Sequence, residues 1–407
     1  MRNAIVAVVA ALITGCSSSG SPAATFTLSS PTSTAAATSA APTVAPSASA
    51  VAASTSPMAT QSPTLESLLL PLVASWRPSE PVLLVERPEG EDLTLIAVPV
   101  AGAPAKPLVT IHQQGFPLGY DLRDDGSMLA VAIPVVPGTS RIAVLDFASG
   151  TRRWLTDEEP EVQQSTPVWS ADGAFLYYAA QSYAQTGITD HGIFRIRSDG
   201  LEKTRVRAPE QNGASLRGLT PDGRGLVWAR LREGGAVEVL DLISGQNRSF
   251  DETTTASVLS WRRGQPRALV MVGGCCAGRP GGSLALWDDV RGSSSTLMGV
   301  QSTPPLDVTA AAWEPGGLRF AATIVLRTSS SLDGSMFVYD STGRQLSAVA
   351  GAERAQQVLW LLMGIVFTRV TSASGSTEIL LVQPAGGLPV SLYRDAKHLF
   401  IHSVAGP

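Results

Sequence analysis

From about residue 70 onward, the chain alternates apolar and polar positions in short runs that are separated by turns rich in Gly, Asp and Ser. Residues 175–180 (FLYYAA) and 364–370 (GIVFTRV) are typical of these runs, in which β-branched and aromatic side chains are common. Alternation with this composition predicts β-strands. No part of the region keeps the apolar period of about 3.6 residues that a helix requires. We therefore predict an all-β fold.

The same unit recurs seven times: an apolar anchor residue, a polar turn, and two or three strand-like runs. The anchors are Trp76, Leu122, Trp169, Leu219, Trp261, Trp313 and Trp360. Their mean spacing is about 47 residues, which is close to the roughly 40–50 residues of a four-stranded propeller blade. Three of the turns, at 123–126, 170–173 and 220–223, end in Asp-Gly, a dipeptide of tight hairpins. The spacing predicts a β-propeller of seven four-stranded blades, with six or eight blades as alternatives.

Two stretches of the third copy carry a family resemblance. Pro167–Gly173 and Ser198–Gly200 resemble the TolB-type, WD-like propeller repeat, and Thr220–Gly223 resembles it less closely. The resemblance covers about residues 70–395 and implies architecture rather than function, because such blades serve binding proteins, peptidase appendages and colicin-import partners alike. The sequence has no G-x-S-x-G motif of the hydrolase domain that propeller peptidases carry. The additional N-terminal α/β domain of the TolB family is also not expected.

Two segments are candidates for the strand that closes the ring. Residues 65–73 (LESLLLPLV) predict either a closing strand or a short helix, and residues 398–404 (HLFIHSV) predict a competing strand at the other end. Closure by either segment would remove the open edge that is the liability of any β-sheet.

Residues 1–15 are typical of a bacterial lipoprotein signal peptide. Arg2 supplies the positive charge, and residues 4–13 form an apolar stretch that is too short to span a bilayer. Residues 12–16 (LITGC) resemble a lipobox, which implies that the Cys16 thiol takes up diacylglycerol and that palmitate is among the acyl chains of the protein. The alternative is an ordinary secretory signal with an incidental cysteine. Lipidation predicts attachment to the extracytoplasmic face of the cell membrane, or to the outer membrane in a diderm host.

Residues 16–62 join this anchor to the propeller, which we predict to span residues 63–407. The segment after Cys16 consists largely of Ser, Thr, Ala and Pro, with almost no charge. Such a composition cannot bury enough apolar surface to offset the entropy lost on ordering, so a flexible tether is predicted.

Composition excludes several classes of function. The formal net charge of −4 excludes a broad basic surface, so no nucleic-acid partner is expected. No apolar run after Cys16 reaches transmembrane length. Apart from the lipid on Cys16, no cofactor is predicted, and the chain is expected to be a monomer.

The residues that could carry chemistry are few and scattered. Cys275 and Cys276 are neighbours, and either a strained vicinal disulfide that shapes a loop or an inert structural pair would fit them. The spacing of His398 and His402 predicts that both lie on one face of a strand, but two imidazoles alone do not make a zinc site. We predict no catalytic and no metal-binding residue.

Loop lengths give the one hint of a binding site. In a propeller, the connections between second and third strands lie on the same face as the connections between blades. The longest predicted loops on that face are residues 182–192, 273–282 and 327–334, and the acidic connection 157–161 should reach the same face. Because binding residues favour loops on a rigid scaffold, the candidates are Glu158, Glu159, Tyr183, Asp190, His191, Cys275, Cys276 and Arg279.

Two classes of function fit these observations. The first is a non-enzymatic binding or scaffold module that recruits an envelope protein, a peptide or a glycan. Scaffolding of the colicin-import type falls within this class. The second is a small-molecule enzyme of the lactonase or lyase type, which would use the central funnel. Three or more acidic or histidine side chains converging at the funnel would favour the enzyme, and the sequence predicts no such set.

Overall fold

A computed structural model describes residues 64–73, 75–112, 119–184, 187–210, 212–231, 236–250, 256–273, 282–299, 302, 305–326, 334–371 and 376–405. These residues form one five-stranded and six four-stranded antiparallel sheets, arranged in a ring. The prediction of a seven-bladed β-propeller is therefore confirmed. The predicted signal peptide, Cys16 and the whole tether lie outside the described residues.

A single turn of helix, α1 (Leu65–Leu68), precedes the strands of the described chain. In chain order, the strands of blades 1 to 3 are β1 (Leu69–Pro71), β2 (Val82–Glu89), β3 (Asp92–Pro99), β4 (Lys106–His112), β5 (Tyr120–Leu122), β6 (Met128–Val136), β7 (Thr139–Asp146), β8 (Arg152–Trp154), β9 (Gln163–Trp169), β10 (Phe175–Ala184), β11 (Gly187–Arg197) and β12 (Thr204–Arg207).

Blades 4 to 7 continue with β13 (Ala214–Leu219), β14 (Gly225–Arg230), β15 (Val237–Asp241), β16 (Asn247–Ser249), β17 (Ala256–Trp261), β18 (Arg267–Val272), β19 (Ser283–Asp288), β20 (Ser293–Met298), β21 (Leu306–Trp313), β22 (Arg319–Leu326), β23 (Ser335–Asp340), β24 (Gln345–Ala348), β25 (Ala355–Leu361), β26 (Gly364–Val370), β27 (Thr377–Val382) and β28 (Val390–Asp395). The last strand, β29 (Phe400–Ala405), returns to blade 1.

The predicted anchors and turns mark where the first strand of a blade ends. Trp169 is the last residue of β9, and the Asp-Gly turn after it leads into β10. In that turn, Asp172 Oδ1 accepts a hydrogen bond from the N–H of Ala174 at 3.0 Å. Gly173 has a φ of 69°, which favours glycine. The local sequence therefore specifies the hairpin.

Both candidate closing segments are used, at opposite edges of blade 1. Strand β29 lies at the inner edge, where Val404 pairs with Leu83 of β2. Strand β1 lies at the outer edge against β4, and α1 precedes it. Trp76 therefore does not end an inner strand as the other anchors do, because the C-terminal strand takes that place. Instead, its indole packs edge-on against Phe147 of blade 2, with ring centroids 5.2 Å apart.

The core lies between neighbouring blades. Trp169 and Tyr178 of blade 3 share one buried cluster with Ile142 and Val144 of blade 2, and the other interfaces repeat this arrangement. Burying a large apolar side chain contributes about 1.5–3 kcal/mol, so a blade has little stability without its neighbours.

Hydrogen bonds also join the inner strands of successive blades. Asp121 Oδ2 accepts the N–H of Trp169 at 2.7 Å, and Ser260 Oγ accepts the N–H of Trp313 at 3.1 Å. These bonds satisfy backbone donors on the inner edges of blades 3 and 6, where no further strand is available for pairing. They fix the inner strands relative to one another. Among the described residues, no helix has the length and hydropathy needed to cross a bilayer.

Candidate functional site

Strands β10 and β11 of blade 3 replace the loop predicted at residues 182–192. They are the longest strands of the described chain, with 10 and 11 residues, and they pair as far as Ala184 and Gly187. The predicted loop is therefore wrong in form, because cross-strand pairs such as Tyr183 with Ile188 continue the ladder. Its position between the second and third strands is confirmed. We call residues 182–192 the blade 3 hairpin.

Asp190 fixes the base of the blade 3 hairpin. Its carboxylate is buried and accepts hydrogen bonds from Arg207 Nη2 at 2.6 Å and from the N–H groups of Gly192 at 2.8 Å and Glu210 at 2.9 Å. The Arg207 guanidinium also lies over the indole of Trp228 in blade 4, 4.3 Å from the ring centroid. Asp190 therefore holds the hairpin in place and is not available to contact a partner.

The ion pair of Asp190 and Arg207 belongs to a network of charged side chains that continues into blade 4. Arg230 Nη2 lies 2.6 Å from Glu238 Oε1 and 3.6 Å from Glu210 Oε2, and Glu210 Oε1 lies 3.5 Å from Arg207 Nη1. Burial raises the pKa of Glu238, while Arg230 opposes the rise. Alternating charges in this order compensate one another at the seam between blades 3 and 4.

Close packing against blade 4 also holds the blade 3 hairpin in place. A Cβ at Gly213 of blade 4 would lie 2.7 Å from Gln181 Oε1 and 2.9 Å from Ile188 Cγ2. The backbone of blade 4 thus approaches the hairpin so closely that only glycine fits. The described part of the hairpin, residues 182–184 and 187–192, is braced on two sides, and we expect it to be rigid.

His191 lies in a β-bulge of β11. The register shifts between Ala180 and Gln181, which leaves His191 unpaired in the ladder, and its Nε2 lies 2.8 Å from Ser182 Oγ. Sequence reasoning missed this serine, because only the pairing of the two strands brings it to the imidazole. In a catalytic triad, a carboxylate holds the other ring nitrogen. The adjacent Asp190 instead faces Arg207, so these residues do not form a triad.

Tyr183 is the exposed aromatic side chain among the described residues of the hairpin. Its side chain is 52% exposed, and its hydroxyl accepts a hydrogen bond from Gln181 Nε2 at 2.7 Å. Aromatic side chains lose little entropy when they are buried against a partner, and they dominate the energetics of many interfaces. Of the candidates predicted on this hairpin, Tyr183 is the residue with a geometry suited to binding.

The acidic connection lies between β8 and β9, as predicted, and its residues differ in their surroundings. Glu158 is exposed, whereas Glu159 pairs with Lys203 Nζ at 2.5 Å. Glu161 adopts a φ of 60°, and its N–H donates to Thr139 Oγ1 at 3.0 Å. The connection is thus an ordered turn. Cys275, Cys276 and Arg279 lie outside the described residues, as do residues 327–333.

Closure of the ring creates a polar cluster that sequence reasoning missed. Tyr120 Oη donates to Glu86 Oε1 at 2.5 Å, and His402 Nδ1 lies 3.2 Å from the same oxygen. The Tyr120 and His402 rings are stacked with centroids 4.1 Å apart. Burial and the Glu86 carboxylate raise the pKa of Tyr120 well above its usual value. No sequence signal joins Glu86 to His402, because they are 316 positions apart.

The prediction that His398 and His402 share one face of a strand is wrong. His402 belongs to β29, but His398 precedes that strand and packs against Phe400, with ring centroids 4.5 Å apart. The described residues contain no group of three or more His, Cys, Asp or Glu that could hold a metal.

Neither a family model nor a curated protein matches the sequence. Solved structures do match. A puromycin hydrolase is 14% identical with a TM-score of 0.56, and the match covers 79% of this chain and 54% of that one. Prolyl oligopeptidase B from Galerina marginata is 11% identical with a TM-score of 0.53, and the match covers 79% and 52%. TolB from Acinetobacter baumannii is 15% identical with a TM-score of 0.42, and the match covers 70% and 64%.

The chain is similar to these proteins in fold. It spans between about half and two thirds of their lengths. At such low identity the likeness to the two enzymes shows a shared propeller architecture and nothing about activity.

Proposed function

We propose that this chain is a lipid-anchored protein of the bacterial cell envelope, and that its propeller binds a protein, peptide or glycan partner without catalysing a reaction. The binding face is the one that carries the blade 3 hairpin and the acidic connection 157–161. The exposed Tyr183 on a braced hairpin is the observation that carries this proposal. A rigid aromatic anchor lowers the entropy lost when a partner binds.

The enzyme alternative would use Glu86, Tyr120 and His402. Glu86 is 8% exposed and Tyr120 is 7% exposed. The hydrogen bonds of Tyr120 and His402 both end on the same oxygen of Glu86, Oε1. The three residues come from blade 1, blade 2 and the closing strand. This arrangement favours a role in joining the blades, so we propose the binding function rather than catalysis.

Exposed aliphatic side chains on the opposite face suit a protein that is held near a membrane. They occupy turns after the first or third strands of blades 3 to 7, and their exposed fractions run from 59% to 86%. We call them the apolar turn tips: Leu201, Ile243, Val290, Leu318, Leu362 and Leu388.

The predicted tether indicates that the apolar turn tips contact the lipid surface. A flexible segment the length of residues 17–62 has an r.m.s. end-to-end distance of roughly 40 Å, so the propeller would spend much of its time near the bilayer. Protruding aliphatic side chains gain free energy when they enter the boundary between headgroups and acyl chains. We therefore propose that this face contacts the lipid surface and that the hairpin face points away from it.

Crosslinking in living cells tests the binding proposal. The full-length anchored protein would be crosslinked and purified beside a Tyr183→Ser variant, with Ile243→Ser as a matched control on the opposite face. We expect one dominant envelope partner that is lost with Tyr183→Ser and kept with Ile243→Ser. A partner that is indifferent to Tyr183, or the absence of a specific partner, would contradict the proposed face. Metabolic labelling with a palmitate analogue, with Cys16→Ser as the control, tests the anchor separately.

A further inference from the structure

The inner strands of blades 3 to 7 each have a register shift, and in blades 3 and 4 the inner strand also contains a residue of positive φ. In β9, Thr166 adopts a φ of 48°, a conformation that is a genuine outlier for a β-branched residue. In β13, Arg217 is an extra residue between the paired positions Leu216 and Gly218, and Gly218 has a φ of 129°. The distortions are in contact, because Thr166 Oγ1 accepts the N–H of Leu216 at 3.0 Å.

Such distortions persist only where the surrounding structure maintains them, and they concentrate at functional sites. A β-bulge re-aims the side chain of its extra residue. In β13, that side chain is the guanidinium of Arg217. The bulge therefore sets the direction of one cation on the inner wall of the propeller.

Arg217 can reach solvent only through the central channel. One face of blade 4 is covered by blade 3, where Leu216 and Leu219 pack with Tyr177. The other face is covered by blade 5, where Val239 packs with Trp261. Because β13 is the innermost strand of blade 4, the partly buried Arg217 side chain opens on the channel.

The guanidinium of Arg217 has no acceptor among the described residues. Arg207, Arg230 and Arg248, on other strands of blades 3 and 4, each pair with a buried carboxylate. Burial lowers the pKa of Arg217, and no carboxylate of the described residues offsets this effect. Polar groups on the neighbouring inner strands, Thr166 and Ser260, find their partners across the blade seams.

We propose that Arg217 binds an oxyanion, the carboxylate or phosphate group of a small ligand, in the central channel. The planar guanidinium offers parallel N–H donors that match two oxygens of either group. An oxyanion would supply the acceptor that the protein itself does not provide. This site is separate from the blade 3 hairpin, so the proposal does not depend on the partner proposed above.

Thermal unfolding with added anions tests this site. A chain of residues 17–407 would be melted in sodium phosphate, sodium succinate and sodium chloride at matched pH and ionic strength. We expect phosphate or succinate, at about ten times its Kd, to raise Tm by roughly 2–4 °C over chloride. An increase with phosphate alone identifies a phosphate site, and an increase with succinate alone identifies a carboxylate site. Equal melting in all three salts would overturn the proposal.

Three variants assign the effect to the side chain. Arg217→Met removes the charge but keeps the apolar stem, so it should abolish the increase while melting at or above the wild-type temperature in chloride. Arg217→Lys should weaken the increase, because an ammonium cannot bind two oxygens through parallel donors. Arg224→Met, on an exposed turn of the same blade, should keep the full increase. An undiminished increase in Arg217→Met would overturn the assignment, and Arg217→Lys provides the same test if the methionine variant fails to fold.

Discussion

Replacing Arg207 with methionine should destabilise the propeller at the seam between blades 3 and 4. Arg207 and Asp190 are both buried, with side-chain exposures of 4% and 0% and an N–O distance of 2.6 Å. Removing the guanidinium leaves the Asp190 carboxylate with only the N–H groups of Gly192 and Glu210. Breaking a buried ion pair by removing one partner costs about 3–5 kcal/mol, and methionine preserves most of the packing against Trp228.

A double-mutant cycle isolates the ion pair from this packing. Asp190→Asn alone should also destabilise, because the amide cannot balance the buried guanidinium. The double variant should recover most of the loss, since neither charge remains. Urea unfolding of the four proteins, followed by fluorescence, gives each free energy of unfolding. Two results would refute the claim that this pair fixes the hairpin. One is a loss of unfolding free energy in the double variant that equals the sum of the two single losses, and the other is a loss below about 1 kcal/mol for Arg207→Met.

Three further predictions address the other features. Burial raises the pKa of Asp121 to about 7, so the folded chain keeps a proton that the unfolded chain releases near pH 4, and the free energy of unfolding falls as pH rises between these values. Relative to the wild type, Asp121→Asn should therefore become more stable as the pH rises from 4 to 7, and the difference should stay constant above pH 7. A difference in Tm that does not change with pH would contradict this prediction. Gly213→Ala should cost about 1–3 kcal/mol in urea unfolding, because its Cβ would meet Gln181 and Ile188 at a φ of 54°. The control Gly245→Ala, with a φ of 72° and nothing within 4 Å, should lose only the smaller backbone contribution. The chain of residues 17–407 should co-sediment with vesicles that contain phosphatidylglycerol. The double variant Leu362→Ser, Leu388→Ser should bind to a smaller extent. Equal sedimentation of the wild type and the double variant would contradict contact between the apolar turn tips and lipid.

The architecture was predictable because its determinants are local. An anchor such as Trp169 ends an inner strand, and the Asp-Gly after it makes the hairpin, so the spacing of these signals counts the blades. Trp76 shows where this reasoning fails. The same residue type lies outside any strand in blade 1, because a segment from the other end of the chain occupies the inner position.

The candidate site was predictable only in position. The spacing of the strand-like runs located the connection between the second and third strands of blade 3, but its polar and Gly-containing sequence looked like a loop. In the fold, pairing of Tyr183 with Ile188 continues the ladder. Asp190 was predicted to face a partner, yet Arg207, from the next strand, buries it. Local composition does not report such tertiary contacts.

The bulge at Arg217 and the cluster of Glu86, Tyr120 and His402 could not be predicted at all. A bulge is a shift in pairing between two strands, and it leaves no signal in the alternation of one short run. The cluster joins the two ends of the chain through ring closure. Both features depend on the register of strands, which sequence patterns specify only weakly.

Site-specific photocrosslinking tests the central claim most directly. A photoreactive phenylalanine analogue would replace Tyr183 in the full-length protein, and in a second variant it would replace Ile243 on the opposite face. Both positions are exposed, so neither replacement should disturb the fold. The account predicts one dominant protein adduct from position 183 and none from position 243. The same protein adduct from both positions, or an adduct from position 243 alone, would contradict a partner-binding face built around the blade 3 hairpin.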